Sequence, residues 1–430
     1  MFWMLPNPST DTPPSAPSDS NTAPPCGAAA VATLVSRLEE FPDPRVQGRV
    51  SHQLGEVLLC ALFATMCDCD DYTAMATFAQ TQLTWLQRYI PLANGAPSHD
   101  VFRNVLMALR PEALRQVLTD WVGSIEGRQV CIDGKVSRGA KDPATGRSRL
   151  HLLRAWVSDL GLSVGQAACD QKSNELATLP EFLASLELKG AIVTIDAMAG
   201  HPEVAQQIHE AQGHYILALK ANEKESYDKV REYFQAQCQQ QAGSPALPAN
   251  LGAPTTLHSR EIMAQAWSAE CDLLRTEEKN RGRYEERTVV AAAVGSWWPK
   301  SFLWYGVQSV ICVVRRTMRQ RASSDVPTQE VHYYLSDLPP EAKVLGPYIR
   351  HHWSVENQSH HVLDVTFQED HHQVRDRVAV QNITNLREIS AKLLRDHPRK
   401  DSIRAKRKRA ALSSAFRDEL VAPLFTHFDA

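Results

Sequence analysis

Apolar positions in the first third of the chain recur every three or four residues. Val57, Leu58, Ala61, Leu62 and Thr65 fall on one helical face. Pro97-Ser98-His99-Asp100 carries the residues of a helix start, and Phe102, Leu106 and Leu109 follow on one side. Residues 28–125 therefore predict a helical N-terminal domain. Near Arg128 the period changes to short apolar runs. Val130-Cys131-Ile132 predicts a buried strand ending at Asp133, with Gly134 free to turn. Residues 150–158 and 162–170 predict two more strands, joined by the tight turn Asp159-Leu160-Gly161. A helix follows over 175–186, with Leu176, Leu179, Phe182, Leu183 and Leu186 inward. The run 190–195 predicts a strand ending at Asp196, followed by a helix (202–212), a strand (214–219) and a polar helix (223–241).

Three strands followed by alternating helices and strands predict an α/β fold with a mixed sheet covered on both faces. This is the element order expected of an RNase H-like core. Residues 242–254, rich in Pro, Gly and Ala, read as a linker. Strand patterns at 288–294, 309–315 and 330–335 then predict a β-rich insertion over about 255–338. A helix over 347–362 carries Glu356, and one over 375–395 turns Val378, Ile383, Leu386, Ile389 and Leu393 toward the core. The expected organisation is a disordered tail (1–27), the helical domain (28–125), an RNase H-like catalytic domain (126–398) and a basic tail (399–430).

Composition narrows the partners. The 430 residues are 43% hydrophobic and 22% charged with a formal net charge of -3, so any surface for nucleic acid must be local. The densest basic run, Arg404-Ala405-Lys406-Arg407-Lys408-Arg409, reads either as a DNA-backbone contact or as a solvated tail. Nine scattered cysteines without a C-x-x-C motif speak against a disulfide framework or zinc module and fit a reducing cytoplasm. The first residues lack a basic segment followed by an apolar one, so they do not read as a secretory signal. The longest apolar run, around 54–66, is too short to span a bilayer.

Asp133 and Asp196 each follow an apolar run, and Glu356 sits in His352-Trp353-Ser354-Val355-Glu356-Asn357. Strand ends of open α/β sheets are where ligand-binding groups project. Bare carboxylates brought together repel, so the arrangement calls for cations or a shared proton. Three such groups can hold two divalent cations for phosphoryl transfer. The ordinary alternative is two helix-capping aspartates and an interfacial glutamate. On a helix, Trp353, His360 and Leu363 lie near the face of Glu356. Lys135 and Arg138 after the first acid, and Lys172 and Asn174 after the third strand, suit phosphate contacts, or are simply solvated. The three His-His pairs lack zinc-ligand spacing.

Together these segments resemble the DDE transposases of bacterial insertion sequences, and among them the H-repeat-associated group linked to Rhs elements. The motifs are Ile132-Asp133-Gly134-Lys135-Val136-Ser137-Arg138-Gly139, Lys172-Ser173-Asn174-Glu175, Ile195-Asp196-Ala197-Met198 and Ala218-Leu219-Lys220-Ala221-Asn222. They continue with Gly282-Arg283-Tyr284-Glu285-Glu286-Arg287, the Glu356 block and Leu363-Asp364-Val365-Thr366-Phe367-Gln368-Glu369-Asp370. The resemblance implies a catalytic and metal-binding triad of Asp133, Asp196 and Glu356 holding two Mg²⁺ or Mn²⁺ ions. It implies DNA contacts at Lys135, Arg138, Lys172, Asn174, Lys220, Arg283, Trp353 and Asn357. The expected partners are element-end inverted repeats, target DNA and a second copy of the chain in the active complex. The expected reaction is cleavage at an element end followed by transfer of the 3′-hydroxyl. A catalytically silent DNA-binding descendant and a hydrolysis-only nuclease are the alternatives. The sequence departs from the family at Ala199-Gly200-His201, Arg281-Gly282-Arg283, His360-His361 and Leu363, none of which is a presumed metal ligand.

Overall fold

The structure is a computed structural model. It describes residues 28–46, 48, 50–137, 150–169, 175–196, 200–239, 267, 270–280, 283–319 and 328–425. The helices are α1 (Ala28–Glu39), α2 (Leu54–Met66), α3 (Tyr72–Thr81), α4 (Leu83–Leu86), α5 (His99–Ala108), α6 (Pro111–Val122), α7 (Glu175–Ala184), α8 (Pro202–Glu210), α9 (Lys224–Gln239) and α10 (Ala342–His352). After α10 come two π-helical turns, Val355–His360 and Val362–Thr366, then α11 (Arg377–Asp396), α12 (Ile403–Leu412) and α13 (Ser414–Val421). The strands are β1 (Gln129–Ser137), β2 (Leu150–Val157), β3 (Leu162–Cys169), β4 (Ile192–Ile195), β5 (His214–Leu219), β6 (Asp272–Asn280), β7 (Arg283–Ala293), β8 (Ser309–Arg319) and β9 (Thr328–Ser336). Three antiparallel strands precede the helix–strand units that deliver the parallel pair β4 and β5. The chain thus has a mixed α/β, RNase H-like fold. No helix among the described residues is long and apolar enough to cross a membrane.

The chain divides into two compact units, one running to Glu187 and resuming at His351, the other taking Leu188–Arg350. In the first, α2 is buried on every side except at Glu56. Its apolar period belongs to a central helix rather than an amphipathic one. Ser98 caps α5 by accepting from the Val101 N–H, as the sequence predicts, and Phe102, Leu106 and Leu109 are buried. Asp71 caps α3 in the same way through the Ala74 N–H. The other largely buried helix is α11, with an unbroken buried run from Ala379 to Leu394. Its Asn382 Nδ2 donates to the carbonyls of Leu106 and Leu109, both at 2.9 Å, which satisfies the two buried amide donors.

β1 corrects the expected strand end. It continues through Asp133 and Gly134 to Ser137, with Asp133 opposite Arg154 and Gly134 opposite Leu153 on β2. Gly134 permits a turn but does not compel one. The alternation resumes at Lys135 and Val136, and β2 is long enough to pair throughout. The β2–β3 turn is where it was expected. Gly161 there has φ +61, a backbone conformation that strains any residue with a side chain, and a Cβ would also push the end of the Arg395 side chain aside. On α7, Leu179, Phe182 and Leu183 are buried but Leu176 is exposed.

In the other unit β5 pairs in parallel with β4 and antiparallel with β9, and β9, β8, β7 and β6 continue as an antiparallel meander. The predicted β-rich segment thus extends the β4–β5 sheet. β6 has no counterpart in the sequence reading, since it holds only two leucines among polar residues. Its position follows from pairing with β7 and from charge pairs such as Arg275 with Glu286. α10 begins at Ala342, not at Pro347, because Asp272 Oδ2 accepts the Ala342 N–H at 2.7 Å and so caps the helix. Gly346 lets α10 lie close on the sheet, since a Cβ there would meet Leu274 Cδ2 at 2.9 Å.

Candidate active site

Asp133 and Glu356 meet within the first unit. Asp133 Oδ1 accepts the Gly134 N–H at 2.8 Å, which orients the carboxylate. Glu356 is the second residue of the first π turn, whose widened winding shows in the His361 N–H bonding back to the Glu356 carbonyl. Val355 packs on Cys131 and Trp156, seating that turn on β1 and β2. Ser354 and Ser158 share a hydrogen bond, and Arg395 donates to the carbonyls of Gln358 (3.1 Å) and Gly161 (2.6 Å). His360, one turn beyond Glu356, places Nδ1 at 3.6 Å from Asp133 Oδ2 and 4.0 Å from Glu356 Oε2. Donor atoms of Asp133, Glu356 and His360 all lie within 4.8 Å of one another. The His360 side chain is 8% exposed, while Glu356 is 59% exposed and so faces solvent at the mouth of the cluster.

Beside this cluster lies a buried ion-pair network. Lys135 shares the face of β1 with Asp133, two residues on. Its ammonium bonds Glu369 and lies 2.6 Å from Asp364 Oδ1. Arg154 Nη2 reaches Glu369 at 3.3 Å, and the Thr384 hydroxyl donates to it at 2.6 Å. Burial alone would raise the Glu369 carboxyl, but Arg154, then Lys135 and Arg387, outweigh it and hold the group well below the usual carboxylate range. Burial, with Arg154 and Lys135 beside it, lowers His360 to about 3, which leaves a neutral imidazole. Arg154 also approaches Glu388, which Arg115 pairs and the Ser163 hydroxyl bonds at 3.1 Å.

The expected DNA contact at Lys135 is therefore corrected. With its side chain 6% exposed and two carboxylate partners, Lys135 has no surface to offer a phosphate. The basic run near the C-terminus is likewise neither a tail nor, at its centre, a surface. It forms α12, where buried Lys406 donates to the carbonyls of Leu394 (2.8 Å) and His397 (2.7 Å). Buried Arg407 donates to Thr65 O and Thr366 O and lies over the Phe367 ring. Trp353, expected on the Glu356 face, is exposed, whereas Leu363 is buried with Phe367. Asn357 is exposed, its amide 3.4 Å from the Trp353 carbonyl. Arg138, Lys172 and Asn174 lie outside the described residues.

Asp196 belongs to the other unit. It follows β4 directly, as expected, and is exposed, with Lys220 Nζ 3.4 Å from its Oδ1 just beyond β5. Burial first, and then Asp196, raises the Tyr334 phenol. Arg283 is exposed at the start of β7. The sequence puts His360 near the face of Glu356 but gives Arg154, Thr384 and Arg395 no signal of a place at the site. Only the four-residue spacing of Glu356 and His360 signalled any of these in one dimension.

Carboxylate oxygens and a neutral imidazole nitrogen within a few ångströms of one another form a donor set that fits a divalent cation. Residues 125–389 match the family model described as "Transposase DDE domain", and residues 35–122 match the one described as "DDE_Tnp_1-associated". The protein named "Putative transposase YncI" of Escherichia coli O157:H7 is 27% identical over 399 residues, 91% of this chain and 95% of that one. "H repeat-associated putative transposase YhhI" of Escherichia coli K12 is 27% identical over 395 residues, 90% of this chain and 97% of that one. The solved piggyBac transposase synaptic complex with hairpin DNA aligns at a TM-score of 0.38 and 10% identity, covering 96% of this chain and 84% of that one, a distance at which no inference is drawn.

Proposed function

This chain belongs to the DDE transposase family, and on that premise we propose that it cuts DNA at the ends of a mobile element and joins the freed 3′-hydroxyl to target DNA. Asp133, Asp196 and Glu356 are the acids that would hold two Mg²⁺ or Mn²⁺ ions. Such ions, when bound, supply an activated water or hydroxyl nucleophile and neutralise charge building on the phosphoryl oxygens. The observation that carries the reading is the convergence of Asp133 and Glu356, distant in sequence, on one cluster with a neutral histidine.

The chain's own residues supply position. The Gly134 N–H turns Asp133, and the Lys135–Glu369–Arg154 network ties β1 and β2 to the segment that follows Glu356. Exposure of Glu356 leaves that acid accessible from solvent. Exposed Lys220, Arg283, Trp353 and Asn357 are the described side chains offered for DNA contact. Two DNA ends must be brought together, so a pair of chains is the expected active assembly.

The test is Mg²⁺-dependent cleavage and joining of a duplex carrying the inverted repeats that flank the gene, with wild type beside Glu356→Gln and Asp133→Asn. Both variants should lose at least about 10²-fold in rate, the scale of one essential electrostatic contribution, while still binding the duplex. Full activity in either variant would sink the assignment. Binding without cleavage by wild type would mark a silent descendant, and cleavage without joined product a hydrolase.

A further inference from the structure

His360 is the member of the cluster to which the triad gives no task. Its Nδ1 stands 3.6 Å from Asp133 Oδ2 and 4.0 Å from Glu356 Oε2, beyond the reach of a sound N–H···O hydrogen bond. Its buried Nε2 has no hydrogen-bond partner among the described residues. At neutral pH an ordinary imidazole carries one N–H and one lone pair. In one tautomer the N–H faces two carboxylates too far away to accept it well. In the other, the lone pair faces two negative groups. The second arrangement becomes favourable when a cation lies between them. Two donors each about 2.1 Å from one ion stand at most about 4.2 Å apart, and the two separations from His360 Nδ1, 3.6 and 4.0 Å, fall inside that span.

We propose that His360 is a nitrogen ligand which, with Asp133 and Glu356, holds one of the divalent cations, and that this nitrogen makes the position prefer Mn²⁺ to Mg²⁺. The inference rests on the reading of Asp133 and Glu356 as cation-holding acids. Mg²⁺ demands hard oxygen donors and keeps its waters, whereas imidazole suits transition ions better. The fold places the ring for this role. The π turn sets it beside Glu356, and Arg395 fixes the turn at the Gln358 carbonyl.

The experiment uses the full chain with Mn²⁺ or Mg²⁺ alone. Pulsed electron paramagnetic resonance of bound Mn²⁺ should show nitrogen modulation in wild type that disappears in His360→Gln. Calorimetric titration should show Mn²⁺ affinity falling at least about ten-fold in that variant, the loss expected when even a ligand's support is removed, with Mg²⁺ affinity changed less than three-fold. Mn²⁺ bound by wild type without nitrogen modulation overturns the proposal and needs no variant. Modulation that persists in both His360→Gln and His360→Asn, each checked by thermal melting, does the same. Asp133→Asn and Glu356→Gln separate the two readings. If they weaken Mn²⁺ binding while nitrogen is absent, only the role of His360 fails. If they bind Mn²⁺ as wild type does, the acidic site itself fails.

Discussion

Lys135 shows how a residue's neighbours in sequence can mislead about its neighbours in space. A lysine two positions after a candidate metal-binding acid invites a phosphate. Its burial against Glu369 and Asp364 makes it an internal counter-ion instead. Removing one partner of a buried pair leaves an uncompensated charge, which costs about 3–5 kcal/mol. Lys135→Met and Glu369→Gln should each lower the unfolding free energy by about that much in urea titrations, and the double variant by less than the sum, because the two are coupled. A Lys135→Met protein as stable as wild type but weaker on DNA would restore the phosphate contact. His372 carries a second testable charge effect. Burial first, and Arg387 beside it, lower it to about 4 from an ordinary 6.5. The unfolded chain therefore takes up a proton below about pH 6.5 that the folded chain refuses until about pH 4. Stability is full above that window and falls as pH drops through it, by about 2 kcal/mol between pH 7 and pH 5. Urea midpoints at the two pH values should show this loss, and His372→Gln should remove most of it.

Among elements, the segment after α10 matters most to the site. The sequence predicts one helix from Pro347, but the chain is already helical at Ala342 and then winds as two π turns. The turns bring Glu356 and His360 together, and long-range bonds hold them. The Arg395 guanidinium supplies two, to Gln358 O and Gly161 O. Arg395→Met would leave both carbonyls short of a donor, at a cost of about 1–3 kcal/mol. Amides of Val355–Thr366 should then exchange with deuterium about ten-fold faster or more, while those of α2 keep their protection. Equal loosening of both would mean that Arg395 supports the whole unit rather than this turn. β6 makes the related point for strands. Its two leucines among charges give no apolar alternation, and partners on β7 determine it.

For the molecule as a whole, the C-terminal residues are part of the core. Lys406, Arg407, Ala410, Phe416, Leu420, Val421 and Leu424 are buried, and Arg407 joins α2 to the second π turn through Thr65 O and Thr366 O. Ending the chain at 398 should abolish cooperative thermal unfolding, as read by circular dichroism, and open α2 to proteolysis. Replacing exposed Arg404 and Lys408 with alanine should leave the melting temperature within about 2 °C, the usual scale of surface changes. A truncated chain that melts like the full one would return this segment to the status of a tail.

Periodicity and motif residues in the sequence alone determined the elements with a strong local signal. These are α2, the capped α5, the β2–β3 hairpin, and β4 and β5 with Asp196 just beyond β4. They also supplied the α/β element order and the acids matching a known family. Only the tertiary structure decided that β1 runs on through Asp133, that Lys135 is buried, that basic residues at 406 and 407 hold helices together, and that His360 joins the two carboxylates. The physical reason is the range of the interactions. A hydrophobic period reports which face of an element is buried, a property of neighbours along the chain. Strand pairing, ion pairing and ligand convergence depend on partners hundreds of positions away, and for a charged side chain it is the partner that sets whether it is solvated, paired or poised to bind.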